Sequence, residues 1–554
     1  MGERMLDSLT PNPIFATLPD AGRRRLLRLA GAALAGGAVP GLARAAAPAS
    51  SAPGATPERG GTLVAIAFPE PSTLAFHLIG SNPVLLVTAK IYDRLFITGN
   101  DGKPIPRLAL SVDTSKDGLA WTIKLRKGVT WHDGHPFGAD DVKYSIEKIW
   151  PLWMSSLKTI LDRVDAPDPL TVVMRLKEPW PALGDDFGSN SPQILPRHLY
   201  EGTDLATNPY NTKPVGTGPF MFNEWRRGSH IILERNPNYY LPGLPHLDRI
   251  VWKVVNDSAS RAAELETGAA HYAARNPVTF SDAARLKQLP NLVLDTKQYE
   301  PSPYWLEFNL RDPIVGKLAV RQAIAHAIDR AALVKTVWGG YGAPLDVLLP
   351  AALGQYVAAD AQRYPFDPKR AEQLLDQAGL PRKAGGWRFR LVHDFIPFGD
   401  DYRRTGEFVR QALRRIGIDC VLGAKDLSTW MRDVFTNRDF QMISSWGSSR
   451  SDPQGSFDMR YGVRGDRPGL PWSKVSGYTS KEVDRLLDQT RSGVDKAARA
   501  VNYQKVQRIV QADLPVLPLF EVHFFSVYNR RVQNIDEFPF QTRNNFANVW
   551  MSKA

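Results

Sequence analysis

Asp117-Gly118-Leu119-Ala120-Trp121-Thr122-Ile123-Lys124-Leu125-Arg126-Lys127-Gly128-Val129-Thr130-Trp131-His132-Asp133-Gly134-His135-Pro136-Phe137 is the stretch from which the fold is read. Its first part alternates. Trp121, Ile123 and Leu125 fall on one face of an extended chain, which predicts a half-buried strand. Its second part stops that strand, because Asp133-Gly134 is a turn signal. The same stretch holds the densest cluster of ligand-type side chains, His132, Asp133 and His135. Two histidines three apart share a metal when they lie on one helical face. Across a turn they point apart, so no metal site is expected here.

Working outward, short apolar runs and amphipathic runs alternate. Gly60-Gly61-Thr62-Leu63-Val64-Ala65-Ile66-Ala67-Phe68 is a strand stopped by Pro69 and Pro71. Val84 to Phe96 and Ala139 to Ile149 suit helices, the second with Asp140 and Asp141 in its first turn. Leu170 to Leu176, Pro219 to Trp225, Ile231 to Arg235, Leu247 to Val255 and Pro303 to Leu310 read as strands. Asp257 to Thr267 is a helix closed by Gly268. A helix over Gly316 to Asp329 places Val320, Ile324, Ala327 and Ile328 on one face. Asp367-Pro368 starts another, which Gly379 ends. Asp401 to Ile416, Ser480 to Gln489 and Val494 to Asp513 are helical, and Ile418 to Leu422, Phe440 to Trp446 and Leu514 to Phe520 extended. Strands alternating with helices indicate α/β layering. No fixed-period repeat is present.

The first residues are an address rather than part of the fold. Gly22-Arg23-Arg24-Arg25-Leu26-Leu27-Arg28 precedes the apolar run Leu29 to Ala43, and Ala43-Arg44-Ala45 offers a cleavage site after Ala45. The pair Arg23 and Arg24 resembles a twin-arginine export signal. The run is too short and glycine-rich to span about 30 Å of hydrocarbon. Residues 1–45 are therefore expected to be removed, and 46–59, rich in Ala, Pro, Ser and Gly, to be a flexible leader.

The net charge is +12, with about +9 left after the signal, scattered without a block of like charge. That distribution speaks for solubility and against a nucleic-acid partner. The one cysteine, Cys420, lies in a strand-like run and reads as a buried small hydrophobe. No cysteine ends the signal, so no lipid anchor is expected. An exported, freely diffusing protein belongs in a Gram-negative periplasm.

No enzyme constellation assembles. Gly216-Thr217-Gly218-Pro219 lacks a phosphate-binding lysine and dinucleotide spacing, and marks a tight backbone crossing instead. Neither G-x-S-x-G nor H-E-x-x-H occurs, and Cys420 is badly placed for a nucleophile. No catalytic residue and no cofactor are expected. A secreted hydrolase is the rival from another class. Several aromatics fall where strands run into loops: Phe68 before Glu70, Tyr304 and Trp305 before Asn309, and Trp446 before Gly447. Ligands of α/β sheets sit outside the carboxyl ends of strands. An aromatic there supplies a flat wall and its polar neighbour fixes orientation. Each also has a plain reading as core.

Taken together, these motifs resemble the peptide-type extracytoplasmic solute-binding proteins of ABC importers, family 5. The resemblance rests on Gly60-Gly61-Thr62-Leu63, the stretch 117–137, Pro214-Val215-Gly216-Thr217-Gly218-Pro219-Phe220 running on to Leu233-Glu234-Arg235-Asn236-Pro237-Asn238-Tyr239-Tyr240, Val320 to Arg330, and Leu514-Pro515-Val516-Leu517-Pro518-Leu519. It implies an α/β, two-lobed periplasmic-binding-protein type II fold with an inserted domain. By resemblance, residues 60–90, 215–302 and 525–554 make lobe I, 91–214 the insertion and 303–524 lobe II. The implied function is to capture a small peptide or peptide-like solute between closing lobes and deliver it to ABC permease subunits, as a monomer. An opine, a nickel chelate, haem or an oligosaccharide are alternative solutes.

The resemblance also implies that Asp452 anchors the ammonium end of a peptide, with Trp446 as a wall. Arg450 departs from the peptide-binding pattern and suits a carboxylate. Alternatively, Asp452 caps a turn before Pro453 and pairs with Arg450. The candidate ligand-binding residues are thus Glu70, Tyr304, Asn309, Trp446, Arg450 and Asp452.

Overall fold

The computed structural model describes residues 56–99, 103–154, 157–189, 192–296, 302–447, 452–493, 495–536 and 542–553. The export signal with Arg23, Arg24 and Ala45, the beginning of the leader, and Arg450 lie outside the described residues.

Two large sheets dominate. The first has seven strands, in the order Leu292–Asp295, Ser526–Asn529, Tyr272–Ala273, Thr62–Ala67, Arg249–Val254, His230–Arg235 and Phe220–Arg226. Thr62–Ala67 runs parallel to both of its neighbours, so it is covered on both faces and reads as a nearly unbroken apolar run. The second sheet has six strands, in the order Gly342–Pro344, Val516–Val522, Ser302–Phe308, Met442–Trp446, Phe389–Phe395 and Ile418–Leu422. Its second and third members, Val516–Val522 and Ser302–Phe308, are buried at every position. A separate antiparallel sheet of four strands, all between residues 109 and 176, sits within the first half of the chain. There Trp121, Ile123 and Leu125 face its core, as their alternation requires. The chain passes between the two large sheets after Asp295 and again at His523-Phe524-Phe525.

Several helices begin and end where local chemistry dictates. Asp257 caps Ser258–Thr267 by accepting from the Ser260 amide, and Gly268 closes it with φ at 76°. Asp367 caps Pro368–Gln377 in the same way. Asp400–Arg415 carries two acids in its first turn and two bases in its last. Cys420 is buried, and burial pushes its thiol up to about 12.

Two expected helices come out differently. Val84 to Phe96 is helical only over Asn82–Thr88, and Phe96–Thr98 is a strand. The cause is long-range. The carbonyls of Lys90 and Ile91 accept from the amides of Phe220 and Gly218, at 3.1 and 2.8 Å, so they are lost to a helix. A side chain at Gly216 or Gly218 would overlap the Ile91 carbonyl, which is why that turn is glycine-rich. The helix Ala139–Tyr144 widens into a π turn over Ser145–Ile149, where the Ser145 hydroxyl accepts from the Leu195 amide at 3.0 Å.

The turn at residues 131–135 is docked on the same glycines. His132 Nε2 lies 3.0 Å from the Gly218 carbonyl, and Nδ1 accepts from the Gly216 amide at 3.2 Å. Burial lowers its imidazole to about 4, so it stays neutral and both nitrogens are committed to backbone. His135, by contrast, is exposed.

Candidate functional site

At the junction of the two large sheets, aromatic rings from four segments face one another. Trp446 ends its strand beside the chain crossing, with its ring 5.6 Å from Phe524 and 6.4 Å from Phe398. Phe398 is 39% exposed and Trp472 is 37% exposed, their rings 6.3 Å apart. Trp472 holds a left-handed backbone with φ at 64°, uncommon for a bulky residue. Its carbonyl accepts from Arg460 Nη1 at 2.8 Å, and the Arg460 guanidinium lies 4.4 Å over Trp305. This buried arginine therefore sets where the Trp472 ring stands. The Trp446 Nε1–H has no hydrogen-bond partner among the described residues.

One cation reaches this wall from the first sheet. Arg275 follows the strand Tyr272–Ala273, and its guanidinium sits 3.9 Å over Phe524 and 5.6 Å from the Trp446 ring. With its amide oxygen turned toward Arg275, Asn82 accepts from Nε and Nη2, each at 3.2 Å. Arg275 and Asn276 are consecutive left-handed residues, with φ at 59° and 52°. The conformation is fixed by a two-way clamp. The Asn276 amide donates to the Phe525 carbonyl at 2.8 Å, and the Asn276 side-chain oxygen accepts from the Phe525 amide at 2.9 Å. Backbone strain held by such bonds concentrates at functional sites. Chemically, the arrangement offers flat faces for apolar groups and a guanidinium suited to a carboxylate.

The residues singled out from sequence fall in four places. Trp446 is in this wall. Tyr304 pairs with Trp446 across the two strands and is fully buried, stacked 5.1 Å from Phe520 with its hydroxyl donating to Ser444 at 3.1 Å. Asn309 stands at the other end of that strand, five residues or about 17 Å away. Its side chain donates to the carbonyls of Arg438 and Phe440 and so pins a turn. Glu70 is also engaged locally, accepting from Trp225 Nε1 at 2.9 Å and from the Gly228 amide at 3.1 Å.

Asp452 is 2% exposed and belongs to a buried network. It pairs with Arg499 at 2.6 Å and accepts from the Tyr503 hydroxyl at 2.7 Å and the Gln454 amide at 2.9 Å. Arg499, itself 1% exposed, donates onward to the Thr490 carbonyl and the Tyr503 hydroxyl. The described partner of Asp452 is thus an arginine 47 positions on. Sequence reading missed Arg275, Phe398, Trp472 and Phe524. The signal that marks Arg275 and Trp472, positive φ at a side chain that disfavours it, is visible only in three dimensions.

Residues 103–467 match the family described as bacterial extracellular solute-binding proteins, family 5, middle region. The chain belongs to this family. It is 27% identical over 455 residues to the glutathione-binding protein GsiB of Escherichia coli strain K12, covering 80% of this chain and 86% of GsiB. Among solved structures it is similar to the ABC transporter-associated periplasmic binding protein DppA of Helicobacter pylori, in complex with peptide STSA. The TM-score is 0.79 at 24% identity, covering 90% of this chain and 99% of DppA. It is also similar to AgaA of A. tumefaciens R10 in complex with agropinic acid, with TM-score 0.75, 27% identity, and coverage of 89% and 99%. The fold is the two-lobed type II periplasmic-binding-protein fold, and the protein is a solute-binding component of an ABC importer. The relatives are solute-binding proteins rather than enzymes. Among the described residues no helix is long and apolar enough to cross a membrane.

Proposed function

We propose that this family 5 protein captures a small peptide-like solute with a free carboxylate, holding it between its lobes against Trp446, Phe398 and Trp472. The half-exposed aromatic wall with Arg275 brought to it from the opposite sheet carries this reading. Contact with both lobes is made only when they are closed, and a ligand shifts such an equilibrium by its differential affinity for the two forms. Glutathione, named for GsiB, and agropinic acid, bound by AgaA, both carry carboxylates, which supports the solute class. A peptide is the first reading and an opine-type amino-acid conjugate the second, favoured by the likeness to AgaA.

In this reading residues 60–90, 215–302 and 525–554 form lobe I, 303–524 lobe II, and 91–214 an inserted domain; the strand membership of the three sheets supports it. Asp452, paired with Arg499, serves the fold in this reading, and Arg450 supplies a second cation for the solute. The protein works as a monomer without chemistry, reaches a Gram-negative periplasm by the Arg23-Arg24 signal without a lipid anchor, and passes its solute to permease subunits.

Native mass spectrometry of freshly purified protein, followed by calorimetry with glutathione, short peptides and an opine, tests the solute class. Tight binding of a carboxylate-bearing peptide or conjugate is expected. Retention of a neutral sugar, with no response to any acid, would reject the reading.

A further inference from the structure

We propose that Asp133, His135 and His198 form a site for one borderline divalent cation, of the Zn²⁺, Ni²⁺ or Cu²⁺ type, on the surface of the segment 131–200. One donor atom from each residue lies within 4.8 Å of the others. His198 Nε2 is 2.7 Å from Asp133 Oδ2, and His135 Nδ1 is 3.3 Å from Asp133 Oδ1. These distances turn one nitrogen of each imidazole to the same carboxylate, and the two rings stack with centroids 4.1 Å apart and planes 26° apart. To share one ion at roughly 2.0–2.2 Å, the two exposed rings must turn out of their stack so that their in-plane lone pairs converge. The ion would displace the proton shared between His198 and Asp133. Three protein ligands leave a fourth tetrahedral position for water or an added group. Imidazole with carboxylate suits zinc, nickel and copper better than calcium or magnesium.

The donors come from two segments that the fold holds rigidly together. Asp133 and His135 lie on the turn that His132 fastens to Gly216 and Gly218. His198 lies on the helical turn Arg197–Tyr200. Buried Asp141 ties both, accepting from Trp131 Nε1 at 3.2 Å and from the Arg197 amide at 3.0 Å. Within the turn, Asp133 also accepts from the His135 amide, and the His135 carbonyl from the Trp131 amide. Such outer contacts orient metal ligands. The sequence motif alone misleads, because its two histidines do diverge. The second imidazole comes instead from a residue more than sixty positions away. This inference is independent of the solute and of the lobe junction.

The test uses full-length, untagged protein stripped with chelator. Calorimetric titration with ZnCl₂ and NiCl₂ is expected to show one equivalent bound with micromolar affinity. The CuCl₂ complex is expected to show nitrogen hyperfine structure from two imidazoles in its paramagnetic resonance spectrum. His135→Ala, at an exposed position, is expected to weaken binding about tenfold or more while the chelator-treated melting temperature stays unchanged. No saturable binding below millimolar metal would overturn the proposal. So would a His135→Ala/His198→Ala variant that binds as tightly as the parent.

Discussion

Two neighbourhoods that follow the strand Met442–Trp446 treat their polar groups differently. Around Asp452, a carboxylate, a guanidinium, a phenol and an amide are buried and bonded to one another, although Arg499 Nη1 has no hydrogen-bond partner among the described residues. Around Trp446, rings are half-exposed and a cation arrives from the other large sheet. A buried ion pair with its partners in place holds a lobe together, and losing one member is costly because the other is left charged and dry. A capture site needs the reverse, with surfaces whose contacts are completed only by a guest. The contrast supports the proposed reading, in which Asp452 serves the scaffold and Trp446 the solute.

The largest expected effect comes from breaking the scaffold. Asp452→Ala strands Arg499 and should cost about 3–5 kcal/mol in urea unfolding. A loss below about 1 kcal/mol would dissolve the contrast. Asp452→Asn sharpens it, since solute affinity of the folded protein should hold within about twofold. Abolished binding with intact fold would make Asp452 a solute anchor after all.

Next comes the wall. Trp446→Ala should weaken solute binding by about 10- to 100-fold in calorimetry, in the range of a lost aromatic anchor. An unchanged affinity would move the site elsewhere. Arg275→Gln should follow with a smaller loss, about tenfold for a carboxylate-bearing solute and little for its amide. Equal loss for both would argue for a packing role.

The smallest effect is a pH dependence at the edge of the wall. Asp401 precedes Tyr402, and burial raises its carboxyl to about 6, opposed by Arg404 and reinforced by Asp400. Because the folded value lies above the unfolded one, this group's contribution is fully present below about pH 4 and is lost as pH rises through about 6. Asp401→Asn should flatten stability over that window. A profile identical to the parent would show that the carboxyl is better solvated than its surroundings suggest.

Much of the scaffold is legible in sequence because its causes are local. Asp257 with Gly268, Asp367 with Pro368, and the alternation through Trp121 and Leu125 each place an element by chemistry a few residues wide. The Gly216–Gly218 crossing is legible as tight backbone, though not its consequence, which is to cut short the helix expected over Val84 to Phe96. What is hidden depends on pairs far apart. Arg499 answers Asp452, Arg275 reaches Trp446, and His198 meets Asp133 only when the sheets are assembled. A bond between residues dozens or hundreds of positions apart leaves no periodicity to read. Tyr304 is a complementary case. An aromatic at a strand end reads as a wall, yet this ring packs in the core.

The most direct measurement is a crystal structure of the protein with its captured solute. Solute atoms are expected within about 4 Å of Trp446 and Phe398, with a carboxylate on the Arg275 guanidinium and Asp452 still paired to Arg499. A solute seated on Asp452, or anywhere that leaves Trp446 and Arg275 untouched, would contradict the assignment.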